Sequence, residues 1–187
     1  MKKRSSCNIN GFKYPSSDKI GGRTSTICRS MACTLLLREA CSPEDEECWK
    51  RFFPNKTCAY CGKKATHLDH LFPLIIDRKP TGYGTEPANL VPVCSDCNQS
   101  KGNLDWEEYM NSDKCKHVID KCDLEASIKN RIDIIKEFQK EMVPNKITID
   151  PETMEKWDQI LKSFDDQLNN AEKILLEIKK KLYDDKD

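Results

Sequence analysis

The sequence predicts an α+β protein: a small module of short strands and one helix, stapled by cysteines, with helices before it and a long helical region after it. Three observations lead there. Two Cys-x-x-Cys pairs, Cys58/Cys61 and Cys94/Cys97, enclose 32 residues (62–93). The segments around these pairs are short and apolar and are broken by Pro and Gly, as turn-linked strands are. On both sides of the module, apolar residues recur at helical spacing.

The elements follow in order. Residues 1–25 are rich in Ser, Gly, Lys and Arg, show little periodicity and read as an irregular arm. A helix is expected over 26–40, with Ile27, Met31, Leu35 and Leu36 near one face. Ser42-Pro43 is a start signal, a cap followed by Pro at the first helical position, and the acids of 44–47 suit the positive end of the helix dipole. Trp49, Phe52 and Phe53 anchor this second helix, and Pro54-Asn55 ends it. Residues 57–74, TCAYCGKKATHLDHLFPL, read as a turn between two short strands, followed by a Pro- and Gly-containing loop over 76–87. NLVPVC returns as an extended segment, SDCNQSKGNL opens a helix capped by Ser95, and LDWEEYM adds a further turn or two.

The remainder is helical. Residues 126–142 place Ile128, Ile132, Ile135, Phe138 and Met142 on one face, and VPNKITIDP breaks the pattern. From 151 to 183, Met154, Trp157, Leu161, Phe164, Leu168, Ala171, Leu175, Ile178 and Leu182 follow steps of three and four, a heptad seam. Two readings stay open: a coiled coil that joins two copies of the chain, or a helix folded back on the 126–142 stripe.

Composition bounds the function. With 187 residues, 37% hydrophobic and 33% charged, the chain can form one compact domain or a small domain with helical extensions. No apolar run approaches the ~20 residues that span a bilayer. The basic start MKKRSSCNINGFK has no apolar segment behind it, so a cytoplasmic location is expected. Net charge is zero but unevenly placed: residues 1–38 carry eight Lys/Arg against one Asp, for +7. Local charge governs phosphate binding more than the total does. Of eleven cysteines, an odd number, seven (Cys7, Cys28, Cys33, Cys41, Cys48, Cys115, Cys122) are scattered and read as small buried residues or free thiols. A second metal site from Cys28, Cys33, Cys41 and Cys48 has no recognised spacing.

The paired cysteines carry the strongest signal. Four thiolates in two knuckles favour tetrahedral Zn²⁺, and a closed four-sulfur shell leaves no position for substrate, so this zinc is expected to be structural. Between and after the pairs stand Leu68-Asp69-His70, Pro73, Asn89-Leu90 and Cys97-Asn98, then Lys101-Gly102. This run, in this order, closely resembles HNH nucleases of the ββα-metal fold over about 50 residues, roughly a quarter of the chain.

The resemblance implies roles residue by residue. His70 matches the general base that activates water. Asp69 matches a metal ligand, and Asn98 the position that holds the same metal. Asn89 matches the middle Asn, which ties the long loop to the strand bearing the base. The chemistry is coherent: a divalent cation offsets charge on a phosphodiester under attack, and oxygen donors suit Mg²⁺ or Mn²⁺. Imidazole can take a proton near neutral pH. Asp69 and His70 are sequence neighbours, so a regular strand would point them to opposite faces. His67 could share the face of Asp69.

These readings divide the chain into a basic arm and helices (1–52), an HNH nuclease module (53–112) and a C-terminal helical region (113–187). The expected partner is DNA, with Lys101, Arg23, Arg29 and Lys13 as candidate contacts, and no membrane. The expected activity is a one-metal, restriction-type endodeoxyribonuclease acting as a homodimer through the last helix. The alternatives are a non-catalytic zinc DNA-binding module, a homing, phage or non-specific HNH nuclease, a toxin, or an enzyme that acts on RNA.

Overall fold

A computed structural model describes residues 8–9, 12–13, 23–118 and 124–184. The chain forms two compact units, Thr26–Trp157 and, separately, Met1–Ser25 with Asp158–Asp187.

The larger unit starts with α1 (Thr24–Leu35) and α2 (Pro43–Phe52). α1 ends five residues before the expected boundary, and the chain leaves it in extended form to bridge Arg38 to Thr85. α2 begins as its sequence dictates. The Ser42 hydroxyl accepts from the Asp45 N–H (3.1 Å) while the Asp45 carboxylate accepts from the Ser42 N–H (2.9 Å), a reciprocal capping box. Arg51 in its last turn pairs with Glu141.

Residues 57–66 form a knuckle rather than the first of two strands, with a single bridge, Thr57 to Lys64. The Gly62 N–H reaches the Cys58 carbonyl at 2.9 Å, and Gly62 takes the left-handed conformation (φ 76°) that closes this turn. The strand that does form is β3 (His67–His70), numbered after the short pair β1 (Asn8–Ile9) and β2 (Phe12–Lys13) in the smaller unit. Within the loop, β4 (Ile75–Ile76) and β5 (Lys79–Pro80) make a small hairpin. β6 (Leu90–Val93) pairs antiparallel with β3, placing Asp69 opposite Val91 and His70 opposite Leu90.

α3 (Ser95–Lys101) then crosses back. Its cap is Cys94, not Ser95: the Cys94 Sγ accepts from the Cys97 N–H at 3.5 Å. α4 (Trp106–Met110) and α5 (Asp113–Val118) follow, and α5, which the sequence pattern did not reveal, packs on α3 and α4. Two strands and α3 around the cysteines give the expected α+β module.

One core joins this module to helices on both sides. Cys48 and Phe53, at and after α2, are buried with Tyr60, Leu71, Val91, Val93, Trp106 and Tyr109, and with Ile135 and Phe138 from α6 (Leu124–Glu141). Phe138 meets Phe52 and Phe53 edge-on, at 5.7 and 5.2 Å. The stripe of α6 is thus covered by α2 and α4. The connection after α6 returns to the 71–87 loop: the Asn145 N–H donates to Glu86 (2.7 Å) and the Ile147 N–H to Gly82 (3.1 Å).

α7 runs from Pro151 to Asp184. Its heptad seam is uneven. Trp157 and Leu161 are buried, whereas Phe164, Leu175, Ile178 and Leu182 are exposed. No helix among the described residues is long and apolar enough to cross a membrane.

Candidate active site and metal centre

The cysteine cluster is built by the Gly62 knuckle on one side and the start of α3 on the other. The four Sγ atoms of Cys58, Cys61, Cys94 and Cys97 lie within 4.8 Å of one another, and Cys61 and Cys94 are 3.6 Å apart. A Zn–S bond of about 2.3 Å places tetrahedral sulfurs about 3.8 Å apart, so the donor set fits a closed zinc site. Hydrogen bonds from Cys61 and Cys97 push the Cys58 thiol down, and the contact with Cys58 pushes the thiols of Cys61 and Cys97 up. Four thiolates at this spacing need a cation. The Tyr109 hydroxyl supports that reading, because it is buried, makes no well-formed hydrogen bond among the described residues and lies against Cys97. A thiolate at Cys97 would accept a hydrogen bond from it.

Asp69 and His70 sit at the end of β3. Asp69 is buried, and both of its protein partners fall on Oδ2: the Tyr60 hydroxyl at 2.9 Å and the Lys101 ammonium at 3.1 Å. The Lys101 Nζ also donates to the His70 carbonyl at 2.8 Å. Lys101, expected as a phosphate contact, is 1% exposed and clamps the backbone and carboxylate of the Asp69–His70 pair instead. A lysine three residues past Asn98 points back from α3 toward β3, and burial forces it to find these oxygens.

His70 is half-buried, with Nε2 3.0 Å from the Thr85 hydroxyl. Burial, and to a lesser degree the charges of Arg29 and Lys101, lower its pKa to about 4. The ring is therefore neutral at physiological pH and can accept a proton. His67, three residues earlier, is exposed and bonds its neighbour Thr66 through Nδ1 at 2.8 Å.

Asn89 is fully buried and uses both ends of its amide. Its Oδ1 accepts from the Phe72 N–H (2.9 Å), and its Nδ2 donates to the carbonyls of Phe72 (3.0 Å) and Gly84 (2.9 Å). The Leu71 N–H adds a bond to the Asn89 carbonyl at 2.8 Å. Both ends of the 71–87 loop are thus tied to the strand carrying His70. Asn98 is half-buried on α3, one helical turn before Lys101. Hard oxygen donors at Asp69 and Asn98 suit a hard divalent cation, and both of these Asp69 side-chain contacts fall on Oδ2 rather than Oδ1.

The candidate DNA contacts scatter. Arg29 is exposed on α1, near enough to act on His70 electrostatically, and Arg23 is exposed at its start. Lys13 lies in β2, and the side chains of the arm around it lie outside the described residues, as do Lys2, Lys3, Arg4 and Lys19. The residues that sequence reasoning missed are Tyr60 and Thr85. Tyr60 read only as part of the CAYC knuckle, and a lone Thr in a loop carries no spacing signal.

With this geometry in place, the comparisons agree. Residues 58–104 match the family model described as HNH endonuclease, so the chain carries an HNH endonuclease domain. Over 49 residues it is 45% identical to the CRISPR-associated endonuclease Cas9 of Corynebacterium diphtheriae; the aligned stretch is 26% of this chain and 4% of that protein. No solved structure matches the chain.

Proposed function

We propose that the chain is a metal-dependent endodeoxyribonuclease that hydrolyses DNA phosphodiester bonds through its HNH domain by a one-metal mechanism, in a restriction-type role. The observation that carries the reading is the half-buried neutral imidazole of His70, adjacent to a buried carboxylate at the end of β3, where Asn89 pins the loop that follows.

His70 takes the proton of the attacking water at a ring nitrogen. Asp69 and Asn98 would hold Mg²⁺ or Mn²⁺, which would supply positive charge against the scissile phosphate and its leaving oxygen. Lys101 holds the Asp69 carboxylate in place through its 3.1 Å ion pair. Asn89 fixes the loop, and the four cysteines would hold a zinc ion that would keep β6 and α3 in register with the knuckle. Arg29, exposed beside the site, together with Arg23 and Lys13, meets the phosphate backbone. The exposed apolar residues Leu175, Ile178 and Leu182 of α7 support a homodimer in which two sites cut both strands. A nuclease on DNA implies a cytoplasmic location.

Plasmid cleavage by the wild type and His70→Ala, with Mg²⁺, with Mn²⁺ and with EDTA, tests the reading. Discrete fragments that need a divalent ion and disappear in the variant are expected. A smear keeps the nuclease and removes the restriction role. Cleavage by His70→Ala near the wild-type rate removes His70 as the base.

A further inference from the structure

We propose that Thr85 is the positioning residue that fixes the ring of His70, and that the segment Leu37–Glu39, outside the family match, holds Thr85 in place. The inference rests on the reading of His70 as the base.

The hydroxyl of Thr85 is 3.0 Å from Nε2 of His70, across 15 residues of sequence. An imidazole can work as a base only at the nitrogen that lacks a proton, so the partner of one nitrogen selects the role of the other. When Nε2–H donates to Oγ1, Nδ1 carries the lone pair and meets the water. Thr suits this task because its β-branch restricts χ1 and so limits where the hydroxyl can point.

The backbone beneath the hydroxyl is clamped from two directions. The Thr85 N–H donates to the Leu37 carbonyl (2.8 Å), and the Glu39 N–H donates to the Thr85 carbonyl (3.0 Å), forming the parallel bridge opposite Arg38. That approach requires glycine at 84, where a Cβ would lie 2.4 Å from the Leu37 carbonyl oxygen. The Gly84 carbonyl accepts in turn from Asn89. The same asparagine therefore braces the strand of the base and the loop of its partner. A hydroxyl merely satisfied in a loop would need none of this. The 58–104 domain supplies both members of the pair, but the extended segment that sets their spacing comes from residues before it.

The test uses the full zinc-loaded chain with ¹⁵N-labelled histidine, in a His67→Gln, His117→Gln background that leaves His70 as the only labelled ring. Long-range ¹H–¹⁵N spectra are expected to show Nε2 protonated in the wild type and in Thr85→Ser, and a mixture of tautomers in Thr85→Val. In parallel, Thr85→Val is expected to lower kcat by about 100-fold with KM within about twofold, and Thr85→Ser to recover most of the rate. If Thr85→Val melts well below the wild type, Thr85→Ala carries the same comparison. A wild-type ring protonated at Nδ1, or one tautomer unchanged by loss of the hydroxyl, overturns the proposal. If the spectra behave as expected and the wild type cleaves no nucleic acid, the nuclease reading fails and the positioning role stands. If the wild type cleaves and Thr85→Val cleaves equally fast, the reverse holds.

Discussion

Tyr109 is the residue whose chemistry is least satisfied in the structure. Its hydroxyl is buried against Cys97 without a well-formed hydrogen bond, and burial together with Cys97 raises its pKa. A buried phenol left this way costs about 1–3 kcal/mol, and a metal-bound thiolate would remove the cost by accepting its hydrogen bond. Tyr109→Phe is accordingly expected to weaken zinc binding by about tenfold, read by competition with a chromophoric chelator. Unchanged zinc affinity would mean that the hydroxyl finds another partner. At this scale the sequence was informative where spacing carries the chemistry: Cys58, Cys61, Cys94 and Cys97 were legible as a group, and their sulfurs come together. Lys101 was not, because a lysine after a motif asparagine suggests an exposed cation, and only the return of α3 over β3 turns it inward.

Elements were legible where their ends carry local chemistry. Ser42-Pro43 and the acids behind it announced α2, and the capping box is formed. Ser42→Ala is expected to lower stability by about 1 kcal/mol in urea denaturation with an unchanged m-value, because it orphans the Asp45 N–H and removes half of a reciprocal pair. No loss would show that packing of Trp49 and Phe52 alone fixes the helix start. Elements defined by tertiary contact were not legible. α5 lies on α3 and α4 with Cys115 as its buried residue, a pattern too short to give a period. The first expected strand of the module became a knuckle because Gly62 and the cysteines turn the chain more tightly than a hairpin would. Ser95 lost the cap to Cys94 because the sulfur had already been brought to the helix start by the cluster.

For the molecule as a whole, the shared core sets which parts stand or fall together. The cysteine module, α2 and α6 contribute to one cluster, so side chains on both sides of residues 53–112 unfold with it. The pH dependence of that unit follows from His70. Its native pKa, about 4, lies below the ordinary 6.5. Above pH 6.5 the ring is neutral in both states and its contribution is complete. Between pH 6.5 and about 4 the unfolded chain binds a proton that the native state refuses, so stability falls as the solution is acidified. Calorimetry is expected to show the wild-type melting temperature dropping more steeply over that window than that of His70→Gln. Parallel curves would mean that the ring is accessible enough to charge in place.

On the proposed nuclease reading, one practical consequence concerns how to make a silent copy of this protein, one that still occupies its target but leaves it uncut. The carboxylate of Asp69 looks like an obvious choice, yet removing it strands the Lys101 ammonium at 1% exposure with one carbonyl for company. Breaking a buried pair in this way costs about 3–5 kcal/mol, a large part of what holds a small domain together. An inactive Asp69→Ala protein would thus report collapse as readily as lost chemistry. The imidazole next door can be cut back without leaving a charge behind, which makes His70 the place to disarm the molecule and keep its shape.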